Sequence, residues 1–342
     1  MQERKNLRKV DFGKTGMQVT AMSFGALPMG RCSMQEADIM LNAVLDSGIN
    51  FMDTARLYND CEDKIGLFIS KRRSEYYLAT KTLARSAEGM YADILTSLEK
   101  MRTDYIDLYQ MHNPKNMQEL EIAMGSGGAL EALKQAKSEG KIRHIGITGH
   151  NVDVLKTAIA SGEFASVQVP YNFVEQQAEK ELLPLARSLG MGILGMKPFG
   201  GSQIRQVDLS LRFILQQQDI VPIPGMDTPE QLRQNIDTFK NFQPLNAAEY
   251  RQLEQEAQEI GKDFCRRCGY CLPCAVGIDI PALFILNLTF KRYGAKAGGL
   301  PRYAAHPVKA SACTGCGICE KRCPYDIKIR ERMQEVVRNF ES

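Results

Sequence analysis

Eight cysteines crowd into the end of the chain: Cys265, Cys268, Cys271 and Cys274 form one run, and Cys313, Cys316, Cys319 and Cys323 form another. Three thiols at steps of three wrap a loop around one compact object, and Gly269, Gly315 and Gly317 let the backbone approach it. Such clustering favours metal over disulfides. Zinc takes two separated Cys-x-x-Cys pairs, and eight thiolates would serve two such ions. Continuous runs suit an iron–sulfur cluster better. A second chemical set lies earlier. Asp53, Lys81 and His112 each close an apolar run, and Tyr58 follows Asp53 by five residues. A phenol, an ammonium, a carboxylate and an imidazole form a proton-donating device. The phenol titrates near ~10 when unperturbed, and a buried ammonium beside it is expected to draw Tyr58 down toward neutrality, each unit being worth about 1.4 kcal/mol.

These residues need elements that bring them together. Apolar strand-like runs at 21–26, 50–53, 76–81, 105–112, 142–148, 166–169, 191–197 and 220–224 alternate with amphipathic helical segments at 34–47, 89–101, 127–138, 152–160, 175–189 and 207–217. Thr228-Pro229-Glu230-Gln231 reads as a further helix start, with a capping box and proline at the first helical position. Eight strands, each followed by a helix, in about 250 residues predict an α/β fold, a (β/α)8 TIM barrel. The competing doubly wound sheet lacks its phosphate loop, since Ser23-Phe24-Gly25-Ala26-Leu27-Pro28 does not supply Gly-x-Gly-x-x-Gly. Residues 7–20 are expected to form a hairpin that plugs the barrel floor. Chemistry in such barrels sits at the carboxyl ends of the strands, where Asp53, Lys81 and His112 fall.

The segments Phe51-Met52-Asp53-Thr54-Ala55-Arg56-Leu57-Tyr58, Leu78-Ala79-Thr80-Lys81 and Tyr109-Gln110-Met111-His112-Asn113-Pro114 resemble the three catalytic segments of the aldo-keto reductase superfamily, in the family's order. The resemblance runs from about residue 7 to about 260. It implies NADPH or NADH bound across the strand ends and hydride transfer to a small-molecule carbonyl substrate. Tyr58 would be the general acid, Lys81 and Asp53 would tune it, and His112 would orient the carbonyl. It further implies a cofactor site at Thr148, Gln168, Tyr171, Lys197, Pro198, Gly225, Gln231 and Asn235. Gln168 would hold the carboxamide, Tyr171 would stack on the nicotinamide, and Gln231 and Asn235 would face the adenine. Thr148-Gly149 replaces the Ser-Asn of many members. Gly225-Met226 and Gln231 stand where NADP-specific members carry Lys-Ser and Arg, with Arg233 nearby.

The second cysteine run ends Cys323-Pro324 and resembles the bacterial ferredoxin pattern throughout; the first has a shortened final gap and Ala275 in place of proline. The resemblance implies two 4Fe–4S clusters, with Cys265, Cys268 and Cys271 joined by Cys323, and Cys313, Cys316 and Cys319 joined by Cys274. The expected organisation is a barrel over 1–260 and a small C-terminal ferredoxin-like iron–sulfur domain over 261–342, docked through an apolar helix at 281–290. Arg266, Arg267, Lys321 and Arg322 flank the cysteines and read as a solvated face or a surface for an acidic redox partner. Cys32 and Cys61 read as small buried hydrophobes, and His144, His150 and His306 lack ligand spacing. The 342 residues carry a net charge of +3 and no long basic run, which argues against nucleic acid. No apolar stretch reaches membrane-spanning length and no secretory signal opens the chain, so a cytoplasmic location is expected. Three readings remain: a carbonyl reductase carrying clusters, an electron-transfer protein linking a barrel-bound molecule to the clusters and a redox protein partner, or a reductase whose clusters are structural and whose module is a lid or dimer contact.

Overall fold

The computed structural model describes residues 7–201, 203–261, 265, 271–293, 299–323 and 327–341. Two compact units divide the chain, Met1–Glu254 and Gln255–Ser342.

The first unit opens with an antiparallel hairpin, β1 (Lys9–Asp11) and β2 (Gln18–Thr20), and continues with eight parallel strands. These are β3 (Phe24–Gly25), β4 (Phe51–Asp53), β5 (Tyr77–Thr82), β6 (Ile106–His112), β7 (Ile142–Thr148), β8 (Ser166–Pro170), β9 (Gly192–Met196) and β10 (Ile220–Pro222), paired in chain order. The sheet closes on itself: Ser23 N donates to Pro222 O at 2.9 Å, Gly25 N donates to Pro224 O at 3.0 Å, and Gly25 bridges Gly225. The expected (β/α)8 architecture is therefore present. The helices are α1 (Met34–Asp46), α2 (Cys61–Ile69), α3 (Ala87–Met101), α4 (Met117–Met124), α5 (Ala129–Ser138), α6 (Val152–Ala160), α7 (Leu182–Leu189), α8 (Val207–Leu215), α9 (Pro229–Lys240) and α10 (Ala247–Gly261). Helix α9 packs beside α1, completing the outer ring. Its N-cap Thr228 accepts from Gln231 N, as expected, but the Gln231 side chain accepts from Asp227 N rather than closing the box on Thr228.

Strand side chains alternate between the barrel interior and the helices. Phe51, Ala79, Leu108, Leu194, Val221 and Ile223 point inward and form one apolar cluster with Phe12, Met17 and Val19 of the hairpin. The hairpin thus plugs the amino-terminal end. Its fit depends on two glycines. A Cβ on Gly192 would stand 2.4 Å from the Phe12 ring, and one on Gly13, at φ +54°, would stand 2.3 Å from the Gly192 nitrogen. Near the start of β6, buried Asp107 accepts from Leu78 N at 2.9 Å and from Arg73 Nη2 at 2.5 Å.

The second unit has its own core. Helix α11 (Ile280–Tyr293) lies against α14 (Ile329–Phe340), with α12 (Gly299–Ala304) and α13 (Ile318–Lys321) beside them. Ile280, Leu283, Phe284 and Leu286 pack with Ile327, Ile329, Met333 and Val336. The apolar side of the helix expected to dock the tail thus serves the tail's own interior. Among the described residues, no helix is long and apolar enough to cross a membrane.

Truncating Phe12 to alanine should destabilise the first unit by about 3–5 kcal/mol, because the ring fills a closed floor that cannot collapse. Urea denaturation followed by circular dichroism checks this; a loss below about 1 kcal/mol would mean the hairpin is not part of the folded core.

Candidate active site

One step above the apolar floor, the inward-facing positions become polar. Asp53 of β4, Lys81 of β5, Gln110 and His112 of β6, Thr148 of β7 and Gln168 of β8 share this layer, because each lies an even number of residues above an inward apolar or small side chain. Parallel register aligns Lys81 with Gln110, His112 with Thr148, and Thr148 with Gln168.

The Lys81 ammonium donates to Asp53 Oδ2 at 2.5 Å and to Thr54 O at 2.8 Å, and all three residues are buried. Gln110 Nε2 donates to Asp53 Oδ1 at 3.0 Å, and Gln168 Nε2 donates to Oδ2 at 3.4 Å. Lys81 Nζ lies 5.1 Å from the centre of the Tyr58 ring, and that ring meets His112 edge-on at 6.4 Å between centroids. The four residues expected to form a proton-donating set therefore occupy one place.

Burial pulls the Lys81 ammonium down, but Asp53 and Tyr58 together outweigh it and hold Lys81 charged, above its ordinary range. The Tyr58 expectation needs correcting. Desolvation raises the phenol more than Lys81 lowers it, and Asp53 adds to the rise, so Tyr58 stands above its ordinary value rather than near neutrality. His112 is pushed down to about 3 by burial, reinforced by the cations Lys81, Arg85 and Lys197. Its imidazole is neutral.

The loop carrying Tyr58 is tied from below. Buried Glu62, on α2, accepts from Arg56 Nη1 at 2.6 Å, Thr80 Oγ1 at 2.7 Å and Ser97 Oγ at 2.9 Å. Buried Lys64 donates to Met29 O and Cys32 O, each at 2.8 Å, and to Asp60 Oδ1 at 2.9 Å. Arg85 grips the end of β6 by donating to His112 O and Asn113 O, both at 2.9 Å. Sequence reasoning missed Gln110, Glu62, Lys64 and Arg85; the signal for the first three was a polar or charged residue inside a strand or helix, and Arg85, in the loop after β5, gave none.

Among the expected cofactor contacts, Thr148 and Gln168 lie in the polar layer. Gln168 Oε1, Gln110 Oε1 and His112 Nδ1 are buried without a hydrogen-bond partner, which suits a polar ligand placed over the layer. Lys197 follows β9 with φ +59°, and its Nζ lies 3.2 Å from His150 Nε2. Pro198 O accepts from Ser210 Oγ at 2.6 Å. Gly225 sits at the barrel seam, Gln231 is exposed on α9, and Asn235 is buried there. Tyr171 is a correction. Gln168 points inward, so Tyr171, three residues on, points outward; its ring is fully buried beside Phe213 at 5.9 Å, and its hydroxyl donates to Glu179. It has no free face to offer a nicotinamide.

The sequence pattern of the Aldo/keto reductase family matches residues 19–210. The chain belongs to the aldo/keto reductase family. Residues 264–328 match a 4Fe-4S dicluster domain, so this family member carries an iron–sulfur module after its barrel. It is similar to the oxidoreductase YqkF of Bacillus subtilis, 25% identical over 307 residues that cover 74% of this chain and 97% of that protein. Its fold is similar to an aldo-keto reductase of Bacillus halodurans in holo form, with a TM-score of 0.65 and 23% identity over 73% of this chain and 96% of the other. A Klebsiella pneumoniae aldo-keto reductase in complex with NADPH gives a TM-score of 0.62 and 23% identity, over 73% of this chain and 95% of that one.

In the iron–sulfur module of this reductase-family chain, Cys271, Cys274, Cys313, Cys316 and Cys319 line one cavity with Gly317. Gly315 and Gly317, at φ +70° and +72°, turn the backbone between the thiols as only glycine does readily. The donor chemistry suits a cluster, since soft thiolates from both runs line one space, although among the described residues no three of these groups stand together as a metal site. Cys265 and Cys323 pack against the same core, while Cys268, Arg266 and Arg267 lie outside the described residues. Cys61 is buried as expected, its thiol raised to about 12 by desolvation.

With its pKa pushed to about 3, His112 should show no titration between about pH 5 and 8 in a nitrogen-15 NMR series on the histidine rings. A midpoint near the ordinary value of about 6.5 would show that the site is wetter than its geometry implies.

Proposed function

We propose that the barrel reduces a small carbonyl compound to an alcohol, with Tyr58 as proton donor and NADPH or NADH as the source of reducing equivalents. The observation that carries this reading is the Lys81 ammonium, fixed between Asp53 and Thr54 beside the Tyr58 ring, with His112 set edge-on to that ring. When bound, the dihydronicotinamide supplies a hydride, two electrons delivered to the carbonyl carbon.

The chain's own residues do the rest. Neutral His112 has an N–H to donate and orients the carbonyl oxygen. Tyr58 is protonated throughout the neutral range, which is the form a donor must take, and it gives its proton to the oxygen as negative charge develops there. The Lys81 ammonium lowers the cost of the phenolate left behind. Asp53 keeps Lys81 charged, and Gln110 and Gln168 keep Asp53 in place. The unpaired Gln168 Oε1 is suited to accept from the cofactor's carboxamide, with Thr148 beside it. Lys197, Pro198, Gly225, Gln231 and Asn235 would line the remainder of the dinucleotide. The NADPH bound to the Klebsiella pneumoniae enzyme supports this cofactor class.

For the second unit we propose two 4Fe–4S clusters. By resemblance to two-cluster ferredoxins, Cys274 would join Cys313, Cys316 and Cys319; the cavity that these four line is shared by Cys271 and so does not by itself decide the exchange. Cys265, Cys268, Cys271 and Cys323 would hold the other.

Substituting Tyr58 by phenylalanine should lower kcat for carbonyl reduction by about 100- to 10,000-fold, while the cofactor dissociation constant changes little. Steady-state assays with NADPH and NADH side by side, joined to fluorescence titration of the cofactor, measure both; turnover at the wild-type rate would remove Tyr58 from the role. For the clusters, Cys316→Ser should lower the iron content of anaerobically purified protein, and a full complement of iron would refute that ligand.

A further inference from the structure

The second unit carries a groove beside the thiol cavity, sharing Cys313, Arg330 and Met333 with it, that the carbonyl chemistry does not use. One wall is the 311–315 segment, with Ser311, Cys313 and Gly315; the other is α14. Along α14, Arg330, Gln334 and Arg338 recur every four residues and so form one ridge, about 12 Å from first to last. Met333 and Val337 complete the lining, and no carboxylate is part of it.

We propose that this groove and its cysteine-bearing rim are the docking surface for an acidic one-electron carrier protein that reduces the cluster held by Cys313, Cys316 and Cys319. The proposal rests on the cluster ligands assigned above and deepens that assignment. Three features favour this occupant. First, the proposed ligand Cys313 is itself part of the wall, and Thr314, Gly315 and Cys316 are exposed, so a partner seated here comes within a few residues of the redox centre. Second, Ile318 is 42% exposed beside Cys316, and Lys321 and Arg322 are exposed just beyond it. An apolar contact with a charged surround is the usual anatomy of a protein interface. Third, the positive charge is spread out rather than convergent. Arg330 is gripped by Glu320, its Nε 2.8 Å and its Nη2 2.7 Å from Oε2, and Arg338 stands two turns further along. A compact anion needs donors aimed at one point, whereas an extended acidic face suits a basic ridge. Such complementarity speeds encounter by about 10- to 1,000-fold and fades once salt shortens the screening length below about 8 Å.

In the transfer itself, one electron leaves the reduced centre of the carrier and enters the cluster; no bond forms or breaks and no proton moves.

The test uses the full chain with its clusters loaded and an acidic plant-type 2Fe–2S ferredoxin as probe. Calorimetry at low salt measures binding of the oxidised probe, and anaerobic stopped-flow absorbance measures cluster bleaching by the reduced probe. Arg338→Glu and Lys321→Glu should each weaken binding and slow bleaching by about tenfold or more, and raised salt should do the same to the wild type. Iron content, bleaching by dithionite and NADPH-dependent carbonyl reduction should match the wild type. Binding and bleaching indifferent to both charge reversals and to salt would overturn the proposal. So would displacement of the ferredoxin by inorganic pyrophosphate that binds wild type but not Arg338→Glu, since the groove would then be a small-anion site. An error in the carbonyl-reductase reading appears in the Tyr58→Phe assay and leaves binding and bleaching untouched, whereas an error in the cluster reading appears as wild-type protein without iron.

Discussion

The buried pair of Lys81 and Asp53 sets the terms for everything around it. Removing two such charges from water costs several kcal/mol each, and their mutual attraction offsets that only if the remaining hydrogen-bonding positions are filled. Here they are: Thr54 O takes a second proton of the ammonium, and Gln110 and Gln168 cover both carboxylate oxygens. Strands β4, β5, β6 and β8 each contribute one member, so the barrel must close in register before the pair is satisfied. In return, the dry interior makes the ammonium's field on the neighbouring phenol stronger than it would be in water.

Holding Tyr58 over that pair is a separate task, performed by α2. Its buried Glu62 and Lys64 are structural charges, one binding the loop through Arg56 and the strand through Thr80, the other capturing carbonyls of the preceding turn. Three of the four described non-glycine residues with positive φ, Asn59, Asn113 and Lys197, sit beside Tyr58, His112 and the end of β9. Asparagine tolerates that conformation; lysine does so at some cost, of the kind that collects at functional mouths.

Much of the scaffold was legible because its signals are local. Alternating apolar strands and amphipathic helices announced eight units, and the residues closing β4, β5 and β6 were visible as polar interruptions. Helix α2 escaped notice because the two charges it buries break the apolar stripe that marks a helix. Tyr171 was misread because the stacking role was carried over from the family resemblance without regard to which face of the strand the residue takes. Counting alternation from Gln168 places position 171 on the helix side, and the ring is found there. The direction of Tyr58 was also misjudged: a neighbouring ammonium is visible in a motif, whereas the water excluded by a folded mouth is not. In the tail, thiol spacing spoke plainly, but the apolar helix after the first run gave no hint that α14 would pack against it.

The stopper formed by the N-terminal hairpin bears on traffic through the molecule. With Phe12 and Met17 sealing one end, anything reaching the phenol and the imidazole must come and go by the opposite doorway. Two molecules that met there would have to share that single entrance.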